Sequence, residues 1–233
     1  MIKYIDKQSL EDNLVLEYIY NNKKENYYYS DDFSNEFYIK AAYEGFISVS
    51  YEEENNFVIL PEMQFDYAVL YFENLHISKK VKKLLNDNSY SFRINKNIKQ
   101  TLDLIEQYHE DSWIKDEYKQ TLLNLQNYPN NLGFEIFSSE IIDKTTNQII
   151  AAEIGYKIGA IYTSLSGFYR KEKKYNNYGK LQLVLLGKYL LNNGYKLWNL
   201  GHPYMKYKFD LGATLLSRIE FIKQLKKYRD LKI

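Results

Sequence analysis

The sequence predicts an α+β fold, a mixed and mainly antiparallel sheet flanked by helices, and three observations carry that prediction. Up to residue 127 apolar positions recur at three- and four-residue spacing, the period of amphipathic helices. From Gly133 the period drops to two and holds through three successive segments. A helix-length run at 180–193 then separates the last of these from another apolar strand at 195–200. Residues 1–62 read as a small N-terminal unit and residues 63–233 as the main domain.

Taken in order, short helical patterns at 10–21 and 35–44 lead to Gly45-Phe46-Ile47 and an acidic loop before Pro61. Tyr67-Ala68-Val69-Leu70-Tyr71-Phe72 is a dense run of strand formers. Ser78 is placed to cap a short helix at 79–85. Two amphipathic helices follow at 98–109 and 117–127, and Pro129 stops the second. Strands at 134–142 and 148–156 flank the turn 143–147, and a third antiparallel strand runs from 160 to 168. The helix at 180–193 directs Leu181, Val184, Leu185 and Tyr189 to the core and ends at Gly194. A last helix at 216–228 carries a basic outer face.

Composition removes several function classes. Cysteine is absent, so there is no disulfide framework, thiolate nucleophile or thiolate metal site. Only His76, His109 and His202 supply imidazole, which argues against zinc, and no metal or cofactor is expected. A net charge of +1 gives no overall attraction to DNA, and no apolar run reaches the roughly 20 residues that span a bilayer. With no signal peptide in the first residues, the expected location is cytoplasmic. The 25 tyrosines follow a compositional bias, so neither Tyr27-Tyr28-Tyr29 nor the acidic patch Glu52-Glu53-Glu54 is read as functional.

The informative stretch is 149–213. An apolar hairpin ends in Ser164-Leu165-Ser166-Gly167-Phe168, a basic loop follows, Gly179-Lys180 opens a helix, and Trp198-Asn199-Leu200-Gly201 closes the next strand. First-turn amides of that helix offer a phosphate site. The order resembles the acetyltransferase-like (GNAT-like) layout, in which a basic or Gln residue, a glycine and a second small residue bind the pyrophosphate of acetyl-CoA. Lys174, Asn177 and Gly179 fill those places, without the middle glycine.

Across most of the chain the sequence resembles the leucyl/phenylalanyl-tRNA-protein transferase family. The resemblance runs through Ala42-Tyr43-Glu44-Gly45-Phe46-Ile47, Glu73-Asn74-Leu75-His76-Ile77-Ser78, Ser112-Trp113-Ile114, Gly179-Lys180, Asp210-Leu211-Gly212-Ala213 and Arg218. It implies a GNAT-like catalytic domain that takes aminoacyl-tRNA as co-substrate. The enzyme would pass the amino acid to the N-terminal amine of an acceptor protein, marking it for degradation. An α-amine of pKa about 7.7–8.0 and an activated ester need no enzyme nucleophile, so positioning and oxyanion stabilisation supply the acceleration.

The resemblance also distributes roles. Bacterial members carry Asp and Gln where this chain has Asn199 and Gly201, and Gly-Glu-Ser-Met-Phe where it has Ser164-Leu165-Ser166-Gly167-Phe168, the donor-pocket segment. Tyr162, Leu165, Phe168 and Trp198 would line an apolar pocket for a leucyl or phenylalanyl side chain, whereas an arginyl donor would call on Glu153 or Asp210. His202 is the imidazole nearest the expected centre and a candidate general base. Asp210 either caps a helix or binds the substrate amine. His76 either ties a strand end to the helix after Ser78 or meets the acceptor end of tRNA, and Trp113 is either a core anchor or a platform for the terminal adenine. Lys80 and Lys83 in the cluster 79–83, Lys174 in 170–174, Lys180, and the cluster 223–229 form a path for the acceptor stem. Two other readings stay open, a CoA-dependent N-acyltransferase and a non-catalytic tRNA-binding module.

Overall fold

A computed structural model describes residues 3–53 and 56–233 of the 233-residue chain. The N-terminal segment contains β1 (Lys3–Tyr4), α1 (Lys7–Glu11), α2 (Asn13–Asn21), β2 (Tyr28–Tyr29), α3 (Asn35–Tyr43), β3 (Ile47–Glu53) and β4 (Asn56–Glu62). The single helix expected at 10–21 is two, because the Asp12 carboxylate accepts from the backbone N–H groups of Leu14 and Val15 and starts a new helix there. The acidic loop expected before Pro61 is instead an antiparallel hairpin of β3 and β4. Ile47 and Ile59 bury their side chains while Glu52 stays in solvent, an alternation masked by the run of glutamates. Of that run, Glu54 lies outside the described residues.

Next come β5 (Asp66–Leu70), α4 (Lys79–Leu84), β6 (Tyr90–Ile94), α5 (Ile98–Tyr108), α6 (Asp116–Asn124), β7 (Phe134–Asp143), β8 (Ile149–Ile158) and β9 (Ile161–Tyr169). The chain ends with α7 (Tyr178–Asn192), β10 (Leu197–Asn199), α8 (Lys206–Asp210), β11 (Thr214–Ser217) and α9 (Arg218–Tyr228). Ser78 caps α4 as expected, accepting from the Val81 N–H. Helix α9 begins two residues later than its apolar pattern suggests: Ser217 and Glu220 form a capping box, and 214–217 pair as an edge strand. Strand β6 and the one-turn α8 were also absent from the expectation, being too short to show a period.

Seven strands form one sheet in the order β11-β5-β10-β9-β8-β7-β6. Every neighbouring pair is antiparallel except β9 and β10, which are parallel and joined by the crossover helix α7. The result is the mainly antiparallel, helix-flanked sheet that the sequence predicts. One face is covered by α7 and α4 through Leu181, Val184, Leu186, Leu190 and Val81. Leu185 and Tyr189, expected in that core, are only partly buried; Leu186 and Leu190 take the deeper positions. The other face packs against α5, α6, α9 and the N-terminal helices. No helix among the described residues is long and apolar enough to cross a membrane.

Two polar ties fasten the N-terminal segment and the C-terminal motifs to this frame. The buried Arg218 guanidinium donates to the carbonyls of Ile19, Asn22, Glu25, Met63 and Gln64. Five peptide dipoles thus replace water around its charge. Separately, the segment 73–76 docks on 210–212: the His76 N–H donates to the Leu211 carbonyl at 2.9 Å, and His76 Nδ1 lies 3.0 Å from the Asp210 carbonyl. Gly212, at φ +108°, makes this possible, since a Cβ there would sit 2.0 Å from the Asn74 carbonyl oxygen. Gly212→Ala should therefore lower stability by about 2–4 kcal/mol, read as a drop in the urea midpoint at unchanged m-value.

Candidate active site where the parallel strand pair ends

The pairing of β10 with β9 covers only Leu197↔Ile161, Trp198↔Tyr162 and Asn199↔Thr163. Beyond it β9 runs on to Tyr169 along β8 alone, while the chain leaves β10 in a turn through 199–202. The sheet is open at that point. Strand β9 also carries a bulge there, because Gly155 is opposite Ser164 while Ile154 is opposite Ser166. Leu165 is the extra residue, and it reverses the alternation. Tyr162 and Ser164 point to the α7 face before the bulge, and Gly167 points there after it, beside Glu153. A side chain at Gly167 would meet Glu153, with a Cβ 3.5 Å from that of Glu153.

The vacated space holds a buried polar chain. Trp198 Nε1 donates to Ser164 Oγ at 2.8 Å, Ser164 donates to Glu153 Oε1 at 2.6 Å, and the Tyr162 hydroxyl donates to the same oxygen at 3.0 Å. Burial pushes the Glu153 carboxyl up to about 7, against the opposing pull of the two hydroxyls and of Lys208. Lys208, from α8, is itself buried; its Nζ donates to the carbonyls of Leu200 and of His202, the latter at 2.7 Å. Burial pulls its ammonium down to about 8, and the Glu153 charge opposes that. Asn199 is 1% exposed, and its Oδ1 accepts the Gly201 N–H at 2.9 Å, which fixes the turn.

The structure therefore unites Tyr162, Ser164, Trp198, Asn199 and Gly201 with Glu153 and Lys208. It corrects the apolar pocket expected of Tyr162 and Trp198: both are fully buried, filling the layer under α7 and leaving no wall for a ligand. Ser166 and Phe168 face the opposite side of the sheet, where Leu165 also packs against the α5 core. Asn199 is committed through its carbonyl oxygen to its own turn. Asp210 is exposed at the end of α8 with its carboxylate 3.9 Å from Lys180 Nζ; it supplies a backbone carbonyl to His76 rather than a cap. His76 thus ties 210–211 to the start of α4.

Two clefts open beside the sheet. One, of about 310 Å³, lies between Leu104, Tyr108, Phe168 and Lys171; the other, of about 380 Å³, is bounded by Ser50, Glu106, His109 and Trp113. Trp113 is partly buried against the Tyr118 ring with its edge in that second cleft. His109 Nε2 lies 3.0 Å from the Gly167 carbonyl, which places this cleft next to the bulged strand.

On the α7 side, the helix starts at Asn177, which is left-handed at φ +70° and lends no side-chain cap to the first amides. Gly179 sits under the Tyr169 ring. Lys174 lies over the Tyr175 ring at 4.5 Å and Lys180 is exposed. On α4, Lys80, Lys82 and Lys83 are exposed around the buried Val81. The sequence does not single out Lys208, which lies in a Tyr- and Lys-rich run, or Glu62, which stands beside a proline and whose Oε2 lies 2.8 Å from His202 Nε2; there is no motif around either.

The family model for Leucyl/phenylalanyl-tRNA protein transferase matches residues 69–226. A leucyl/phenylalanyl-tRNA–protein transferase of Shewanella piezotolerans is 26% identical over 162 residues, 67% of this chain and 63% of that protein. One of Flavobacterium johnsoniae is 26% identical over 162 residues, covering 68% of this chain and 71% of its own. The chain thus aligns with about two thirds of the length of these relatives. Among solved structures, a functionally unknown conserved protein from Staphylococcus epidermidis aligns at a TM-score of 0.45 and 12% identity, over 92% of this chain and 79% of that one.

The Glu153 carboxyl gives this centre a pH signature. A carboxyl whose folded pKa is raised from 4.5 to about 7 holds its proton more tightly in the folded chain, so its stabilising contribution is full below pH 4.5 and is lost as pH rises through 7. Glu153→Gln removes that dependence. Between pH 5 and pH 8 the wild type should lose about 2–3 kcal/mol relative to Glu153→Gln, measured by chemical denaturation at each pH.

Proposed function

The chain belongs to the leucyl/phenylalanyl-tRNA protein transferase family, and on that premise we propose that it joins an amino acid from charged tRNA to the N-terminal amine of an acceptor protein. The observation that carries the proposal at the level of the site is the buried Lys208 ammonium over the open end of the parallel pair. An ammonium has three donors. Two are held by the carbonyls of Leu200 and His202, leaving one for the oxyanion that forms when the acceptor amine attacks the ester. The ester carbonyl would lie between the 199–202 turn and the bulged strand.

A leucyl or phenylalanyl donor fits better than an arginyl one. Of the two carboxylates available to a guanidinium, Glu153 is enclosed by Ser164 and Tyr162, and Asp210 faces Lys180. The apolar donor side chain would lie in the cleft edged by Phe168, Leu104 and Tyr108. Amides at the start of α7, with Lys174 and Lys180, would take phosphates of the acceptor end, and α4 would extend the contact along the stem. The modified protein would then enter degradation in the cytoplasm.

The test is transfer of labelled Leu, Phe or Arg from tRNA to peptides beginning with Arg, Lys, Asp or Glu, with a thermal-shift measurement on acetyl-CoA as the competing arm. Label from Leu- or Phe-tRNA on the Arg and Lys peptides is expected. Stabilisation by acetyl-CoA without transfer from any tRNA would overturn the reading. Charge reversal of Lys80, Lys82 and Lys83 should weaken tRNA binding and reduce the salt slope by roughly 0.7–0.9 for each phosphate no longer neutralised; an unchanged slope would remove α4 from the tRNA path.

A further inference from the structure

Residues outside the 69–226 stretch complete this site. His202 Nε2 lies 2.8 Å from Glu62 Oε2, and Glu62, at the end of β4, is only 2% exposed. Asn26 Nδ2 donates to Glu62 Oε1 at 2.8 Å and Gln64 Nε2 donates to Oε2 at 3.2 Å, so the carboxylate is held from both sides. The Tyr27 phenol lies against it and is pushed up to about 12, by burial first and then by the Glu62 charge. The Tyr204 ring stacks on His202 at 5.1 Å and 16°. The turn that carries His202 is pinned by the Asn199–Gly201 hydrogen bond and by Lys208, whose Nζ meets the His202 carbonyl.

An ionised carboxylate only accepts, so Nε2 carries the imidazole proton and Nδ1 keeps its lone pair. The His202 side chain is 35% exposed, so its ring can be reached from solvent. A carboxylate used merely to brace the hairpin is already satisfied by Asn26 and Gln64. Beyond these and the Tyr27 phenol, it meets a partly open imidazole one residue from Gly201.

We propose that His202 is the general base of the transfer step and that Glu62, reaching it from the N-terminal hairpin, is its positioning residue; this rests on the transferase reading. The neutral acceptor amine attacks the ester carbonyl carbon and forms the new C–N bond. Its surplus proton passes to His202 Nδ1, giving an imidazolium that Glu62 stabilises. The tetrahedral intermediate collapses, the C–O bond to the tRNA ribose breaks, and the departing oxygen takes that proton. Base and oxyanion donor would then meet at one turn, His202 carried on it and acting on the nitrogen, Lys208 bonded to it from α8 and acting on the oxygen.

The experiment is single-turnover transfer from aminoacyl-tRNA to an N-terminal Arg peptide between pH 5.5 and 9, with tRNA affinity and thermal stability measured on the same samples. His202→Gln should be slower by about 100-fold at unchanged tRNA affinity, and added imidazole should raise the rate of His202→Gly. Glu62→Gln should be slower by about tenfold and Glu62→Asp should recover part of the loss. The log rate of the wild type should rise with pH more steeply than that of His202→Gln, whose remaining dependence is the acceptor amine's. Wild-type transfer with His202→Gln within about twofold of it and the same slope would overturn the assignment, and the partly exposed His202 keeps this arm decisive if Glu62→Gln does not fold. No transfer by the wild type from any charged tRNA would instead overturn the transferase reading, and the assignment with it.

Discussion

A parallel pair that stops after three residues is the constraint on which the rest of the molecule depends. Antiparallel strands could have continued side by side to the sheet edge. Here α7 must return the chain to lie parallel, and β10 leaves its partner at Asn199 while β9 goes on to Tyr169. Backbone groups freed at that point cannot stay unpaired when buried, and three of them are met locally. The Gly201 N–H goes to Asn199 Oδ1, and the carbonyls of Leu200 and His202 go to Lys208. The groups that repair the break are therefore polar, buried and concentrated at one place. A cation there is poorly solvated, and any oxygen that develops negative charge beside it would feel that cation more strongly than in water.

The N-terminal segment and α9 hold this opening in place. Arg218 knits the ends of α2, β4 and α9 through carbonyl contacts. The buried Glu44 is bound by Lys40 at 2.6 Å, Arg229 at 2.7 Å and the Tyr20 hydroxyl at 2.8 Å, and these partners draw its carboxyl down against the push of burial. Both clusters lie in motif segments, Glu44-Gly45 and Arg218, and both act on packing. The same scaffold presents Glu62 to the loop after β10.

Much of the fold was legible in the chain because its local signals agree. Ser78 sits where a helix begins, and the period-two runs from 134 to 168 form strands. Edge strands β6 and β11 were hidden by their shortness, and β3 with β4 by the glutamate run that begins at the exposed Glu52. At the site, sequence order pointed to Ser164, Trp198, Asn199 and Gly201, which the structure places together at the end of the parallel pair, since they flank a recognisable strand, helix and strand. It misjudged Tyr162 and Trp198 because a buried aromatic and a pocket aromatic look the same in one dimension. Lys208 and Glu62 were not singled out for a different reason: each meets its partners only in the fold, Lys208 the carbonyls of the turn after β10 and Glu62 the imidazole of His202.

The decisive measurement is a structure of the protein with a non-hydrolysable, amide-linked leucyl- or phenylalanyl-adenosine. The amide carbonyl should lie at the turn 199–202, within hydrogen-bond reach of Lys208 Nζ, with the side chain directed toward Phe168. An aminoacyl group seated in the cleft around Trp113, with its carbonyl remote from Lys208, would contradict the claim that the end of the parallel pair is the reaction centre.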